Sequence, residues 1–292
     1  MQELVDRFLA TYQARLKAST LRDYRSIFAH HLAKFPSFEA LNQGLEDYLS
    51  GLDISGKRKN NILSAARSFV EWARRRKFFE GKFFKIPRFP HRSKKTKPLT
   101  PDEAQLIMDC TPWPYKDFFK LSILTGLRTG EALGLRFDDF DLVKKVIHVE
   151  RSLTCGVIGT TKTMAGERDV PLLRPLWELF EARRRANHRA SPWFFFSAHR
   201  GVLSLKKIRQ IWRDFLDAVG IEPRVLYATR HTFASLAIAA GEDPLWVAKI
   251  LGHERPDQLF LKYATFLEGM KEDGKKFLEL AIGRGTFLRA VK

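Results

Sequence analysis

Residues 86–98, IPRFPHRSKKTKP, put three prolines and five Lys or Arg into a single short run. Proline fixes φ and removes a backbone donor, so a stretch of this kind joins packed bodies rather than forming one. A chain of 292 residues is therefore expected to divide here into about two domains. We place a helical domain at 1–86, a basic linker at 87–98 and a second domain at 99–292, whose tail begins near 266.

The charge follows the same division. Residues 57–97 hold fifteen basic and two acidic residues, a net of +13, whereas the whole chain carries +18. Before the linker, Ile62, Ala65, Ala66, Phe69, Val70 and Ala73 recur at helical spacing, with Arg67, Arg74, Arg75, Arg76 and Lys77 on the same segment. A charge run is often only a solvated face. Here a basic helix leads into a basic strap bearing Arg92, Lys94, Lys95 and Lys97, which suits contact with a phosphate backbone, and double-stranded DNA is the expected partner.

Composition closes off other classes. At 45% hydrophobic and 12% aromatic residues the chain has ample core material, which excludes general disorder. Two cysteines, Cys110 and Cys155, are too few for a disulfide framework or a cysteine zinc cluster. The start, MQELVDRFLATYQARL, is amphipathic rather than a signal peptide, and no run of about 18 apolar residues occurs. The expectation is a cytoplasmic, nucleoid-associated protein without a membrane partner.

Periodicity predicts helices near 1–17, 19–33, 38–50 and 57–78, then near 101–110, 115–125 and 129–135. Thr100-Pro101-Asp102-Glu103 combines an N-cap threonine, a proline at the first helical position and a glutamate at the third. VIHVERSLTCGVIGTTKT and AGERDVPL read as one three-stranded antiparallel sheet with its last turn at Ala165-Gly166. Helices return near 174–189, 204–219, 229–240, 244–251, 256–263 and 267–282. The fold class is mainly α with a small antiparallel β-sheet.

For chemistry on phosphodiesters, the first candidate is a metal site at Asp138, Asp139 and Asp141, set against their ordinary use as capping and solvating acids in a bend. No HExxH is present, and no glycine loop ends in Gly-Lys-Ser/Thr, so zinc-protease and nucleotide-binding readings lack their motifs. A second constellation is richer. LTGLRTGE holds Arg128 and Glu131 three apart at a helix start; TKT holds Lys162 near a turn; YATRHTFAS holds Tyr227, Arg230 and His231; LGH ends in His253; and Tyr263 follows ten residues later. Singly, each has a plain reading: a surface ion pair for Arg128 and Glu131, a residue after a helix-ending glycine for His253, a half-buried aromatic for Tyr263.

In this order the motifs resemble the tyrosine recombinase family, the phage-type integrases, over most of 99–265, with a looser likeness in the N-terminal helices. The resemblance implies a C-shaped two-domain clamp on DNA, with a core-binding domain and a mixed α/β catalytic domain. It implies strand cutting and rejoining through a 3′-phosphotyrosyl intermediate, without metal or cofactor. Arg128 and Arg230 match the family's catalytic arginines, Lys162 its hairpin lysine, His253 its LGH histidine and Tyr263 its nucleophile; Tyr227 stands where the family usually has histidine. Glu131 orients a neighbour, and His231 makes a structural contact. A homotetramer in synapsis is implied, joined by a C-terminal element for which the stripe Phe277, Leu278, Ala281 and Ile282 is the candidate. The synapse admits a DNA-bending accessory protein.

The chemistry suits these residue types. In-line displacement builds charge on the non-bridging oxygens, which guanidinium forks match bidentately. A phosphotyrosyl bond retains the energy of the cut bond for rejoining, whereas water would make the break permanent. No segment resembling an arm-binding module precedes the helices, which favours a simple recombinase of a mobile element or chromosome, and the expected role is integration and excision of a mobile element. The alternatives are a chromosome-dimer resolving recombinase, a type IB topoisomerase-like enzyme and a non-catalytic DNA-binding protein.

Overall fold

The computed structural model describes residues 1–83, 85–91, 96–160, 166–187, 191–197 and 201–253. The chain forms two compact units, Met1–Lys94 and Lys95–Lys292.

The first unit contains α1 (Gln2–Gln13), α2 (Ala18–His30), α3 (Phe38–Gly51) and α4 (Gly56–Arg75). Its centre is aromatic. Phe8, Phe28 and Phe69 meet edge to face, with centroids 5.1 to 5.5 Å apart, and Trp72 closes on Phe8 at 5.6 Å. The predicted apolar face of α4 is buried in full, from Ile62 to Ala73. The helix stops earlier than periodicity suggests because Lys77 turns to φ 59° and the Phe78 N–H donates to the Ala73 carbonyl, a left-handed C-terminal turn.

The strap after α4 is held in place up to His91. Ile86 is buried in the first unit's core, and the Arg67 guanidinium donates to its carbonyl. Asn60 makes a two-way bond with the Phe89 backbone, at 2.8 and 2.9 Å. At the head of the helix, a Cβ on Gly56 would fall 2.2 Å from the Pro90 carbonyl oxygen, so only glycine lets the strap pass.

The second unit runs α5 (Pro101–Cys110), α6 (Tyr115–Thr125), α7 (Thr129–Gly134), β1 (Phe140–Asp141), β2 (Val146–Val149), β3 (Arg151–Thr154), β4 (Val157–Thr160), β5 (Arg168–Pro171), α8 (Arg174–Asn187), α9 (Leu205–Ala218), α10 (Ala228–Ala239) and α11 (Pro244–Leu251). Thr100 and Glu103 close the predicted capping box on α5. The single predicted sheet is two sheets instead. β2 is central, antiparallel to β1 and to β5, while β3 and β4 form a separate hairpin whose two-residue turn, Cys155-Gly156, has φ 55° and 78°. The hairpin lies on α7, where a Cβ on Gly130 would meet Ser152 Oγ at 2.5 Å and the Leu153 carbonyl oxygen at 2.7 Å. The architecture is mainly α with small antiparallel sheets, and no described helix is long and apolar enough to cross a membrane.

Candidate active site

Helix α6 ends at Gly126, whose φ of 63° reverses the chain, and two residues later Arg128 stands in the N-cap position of α7. The backbone N–H of Arg128 donates to Glu131 Oε2 at 2.9 Å, and its Nη1 donates to Oε1 at 2.6 Å. This is not a surface pair. Glu131 is 1% exposed and Arg128 22%. The outer edge of Arg128 reaches across the chain, Nη2 donating to the Gly252 carbonyl at 2.9 Å.

Arg230 rises from the first turn of α10 and is buried to 1% exposure. Its Nη1 donates to the Gly126 carbonyl at 2.9 Å and its Nη2 to the Leu251 carbonyl at 2.6 Å. Burial lowers its pKa to about 10; the charges of Arg128 and Arg168 act the same way, while Tyr227 and Glu131 oppose them. It remains a cation at neutral pH.

Both guanidinium groups therefore rest on the end of α11. There the Gly252 N–H donates to Lys249 O, the His253 N–H donates to Ala248 O, and Gly252 takes φ 64°, which closes the helix in a left-handed turn. Such an end leaves its last carbonyls without partners inside the helix. His253 follows directly, half-buried beside the carbonyl that Arg128 holds. Tyr227 caps α10 one turn before Arg230, 40% exposed, its ring set edge to face 5.0 Å from His231. Lys162, between β4 and β5, and Tyr263, beyond α11, lie outside the described residues, as does the stripe from Phe277 to Ile282.

One participant escapes the sequence reading. Arg168, at the head of β5, donates from Nη2 to Glu131 Oε2 at 2.9 Å, from Nη1 to the Gly166 carbonyl at 2.8 Å, and from Nε to the Ile250 carbonyl. Its side chain is 4% exposed. Strand alternation holds the available signal, since Arg168 falls on the same strand face as buried Val170. Burial pushes the Glu131 carboxyl up, yet Arg168 and Arg128 together hold it below the usual range.

Two of the three acids of the metal reading are otherwise engaged. Asp139 is buried, with both oxygens 2.6 Å from Arg151 Nη1 and one accepting the Arg136 N–H. Asp141 accepts the N–H groups of Val143 and Lys144, and Asp138 is exposed. Among the described residues no three His, Cys, Asp or Glu are grouped to hold a metal ion.

The basic residues divide in the same way. Arg74, Arg75, Arg76 and Lys77 are exposed at the end of α4, Arg74 beside Glu71 and Arg75 donating to the Tyr12 hydroxyl. Arg67 anchors the strap, and Lys97 pairs with Glu222 at 3.1 Å. Arg92, Lys94 and Lys95 lie outside the described residues.

Known proteins resemble the chain in sequence and in fold. A model of the phage integrase family matches residues 97–267. A prophage integrase, IntR of Escherichia coli (strain K12), is 26% identical over 240 residues, 73% of this chain; the matched span is 58% of that relative's length. Two solved structures share the fold. The Tn1549 transposon integrase in complex with transposon right end DNA superposes with a TM-score of 0.71 at 17% identity, over 95% of this chain and 98% of that one. A lambda integrase tetramer bound to a Holliday junction gives 0.67 at 17% identity, over 87% and 77%. With the family model covering more than half of its residues, the chain belongs to the phage integrase family, that of the tyrosine recombinases.

Proposed function

We propose that the chain cuts and rejoins DNA at specific sites, serving integration and excision of a mobile element. The observation that carries this reading is the convergence of Arg128 and Arg230 on consecutive carbonyls of one helix end, Gly252 and Leu251, beside His253. A guanidinium carries five N–H donors, so anchoring bonds can fix its plane while its fork receives a phosphate. The two cations then oppose the charge that builds on the non-bridging oxygens during displacement.

In the proposed step the Tyr263 oxygen attacks the scissile phosphorus. A bond from phosphorus to that oxygen forms, the bond to the 5′ oxygen breaks, and Lys162 supplies the proton that leaves a 5′ hydroxyl. His253 hydrogen-bonds the phosphate or assists loss of the phenolic proton, and Tyr227 lies on the same side of the site as Arg230. Attack by the 5′ hydroxyl of a second strand reverses the chemistry and completes exchange. The relatives' names, a prophage integrase and a transposon integrase, support the mobile-element reading. The lambda integrase tetramer bound to a Holliday junction supports assembly of four copies on DNA.

The test is covalent capture on a pool of randomised duplexes carrying a single nick, which traps the protein on the strand it cuts. Tyr263→Phe is expected to abolish capture and leave DNA binding nearly intact, and capture by the unaltered protein is expected to persist in EDTA. Capture surviving in Tyr263→Phe, or a strict magnesium requirement, would overturn the mechanism. Binding without any capture by the unaltered protein would point to a non-catalytic DNA-binding protein, and cleavage with relaxation but no strand exchange to a topoisomerase-like enzyme.

A further inference from the structure

Three consecutive carbonyls at the end of α11 each accept from a different arginine: Ile250 from Arg168, Leu251 from Arg230 and Gly252 from Arg128. These are the groups a helix end leaves unpaired, at the negative pole of its dipole, where cations are favoured. Two of these arginines are the proposed phosphate ligands. The third has no counterpart among the sequence motifs and is the best connected, since it joins β5, α7 and α11 through Gly166, Glu131 and Ile250.

We infer that Arg168 is the positioning residue of this site: it holds Glu131 and the α11 end so that Arg128 and Arg230 stay aimed at the phosphate. The inference rests on the recombinase reading proposed above. Glu131 shows how the device operates. Its Oε1 takes the Arg128 side chain, while its Oε2 is shared between Arg168 and the Arg128 backbone N–H. With Oε2 occupied, Arg128 cannot close a two-toothed pair on the carboxylate, the geometry this pair of groups prefers. Its outer nitrogen therefore stays on Gly252, next to His253. Without Arg168 the Arg128 fork is free to rotate onto Glu131 and away from a phosphate, and the Ile250 carbonyl loses its partner. A lysine cannot replace these bonds, because one ammonium cannot span the fork's three acceptors in three directions.

The charges around Glu131 supply a readout that simple scaffolding would leave unmoved. Among the described residues the cations facing it are Arg128 from the N-cap of α7, Arg168 from β5 and Arg230 from α10, with Tyr227 beyond Arg230. Burial raises the Glu131 pKa, and Arg168 is the foremost charge opposing that effect. Removing Arg168 therefore raises the pKa of Glu131, and the acid side of the cleavage profile should fall further in the variant than in the unaltered protein.

The experiment measures single-turnover covalent capture from pH 5 to 9 on the nicked duplex recovered from the unaltered protein, together with DNA affinity and melting temperature. Arg168→Gln is expected to capture DNA about 100-fold more slowly with affinity within about twofold, as a misplaced clamp predicts. It should also gain an acid limb in addition to whatever His253 gives the unaltered protein, and Arg168→Gln/Glu131→Gln should lose that added limb. Arg168→Lys, which keeps the charge and guards against a misfolded glutamine variant, is expected to remain about 10-fold slow. Full activity in either variant would overturn the inference. A loss independent of pH that tracks DNA affinity or melting temperature would do the same. Failure of the unaltered protein to capture DNA while binding it strikes the recombinase reading itself, and this inference with it.

Discussion

Beside the arginines proposed to hold a phosphate, the second unit buries Arg183 for a different purpose. It is buried under the ring faces of Phe194 and Phe195, at 5.3 and 5.2 Å, and donates to Asp117 at 2.9 Å. Burial lowers its pKa and the Asp117 charge resists that shift. Removing one partner of such a pair leaves a buried charge uncompensated. Asp117→Asn and Arg183→Met are therefore each expected to destabilise the protein by about 3 kcal/mol, because each strands the other partner's charge, whereas the double variant removes both charges and is expected to cost less than the sum of the two. Denaturant unfolding of the three variants checks this; costs that simply add in the double variant would show that the two side chains act independently rather than as an ion pair. Neither Arg183 nor Arg168 is legible in sequence, since their carboxylate partners lie 66 and 37 residues away. Arg128 with Glu131 and Gly252 with His253 are legible because the spacing is local: a capping carboxylate three residues on, and a glycine that ends a helix.

Elements with a local start or stop signal follow their sequence closely. The capping box at Thr100 opens α5 as expected, and the apolar face of α4 is the buried one. The sheet is the exception, for a physical reason. Val146 to Thr154 alternates as one long strand would, yet the ladder breaks at Glu150, so β2 pairs with β5 while β3 turns back on β4. Nothing in a period of two says which neighbour a strand will choose. The Cys155-Gly156 turn needs positive φ at both positions, and only its glycine advertises that. The hairpin is seated by Gly130, where a side chain would meet backbone that cannot move aside. Gly130→Ala is expected to cost about 1 to 3 kcal/mol, as overpacking does, whereas a Cβ on Gly159 meets nothing within 4 Å and Gly159→Ala should be close to neutral. Unfolding midpoints for the pair test this, and equal midpoints would mean that the hairpin shifts without cost.

For the molecule as a whole, the charge excess over 57–97 is the property most directly readable from composition. At the end of α4 the structure leaves Arg74, Arg75 and Arg76 exposed. Neutralising these with Lys94 and Lys95 is expected to weaken binding to every DNA sequence and flatten its salt dependence, each lost phosphate contact changing the log–log slope by about 0.9. An unaltered slope in a salt titration would mark this run as a solvated face. The three arginines around the α11 end have a further effect on the fate of the protein. Three guanidinium groups crowd one helix end, with Glu131 the carboxylate among the described residues there, and Arg128 and Arg168 act to lower the pKa of Arg230. A phosphate that binds this arrangement and not the unfolded chain stabilises the fold by mass action, about 2.7 kcal/mol at a hundredfold excess over Kd. On the proposed function, copies holding a DNA phosphate are therefore expected to open less often than copies without one, and proteolysis of the open form, followed with and without a DNA duplex, should slow as occupancy rises.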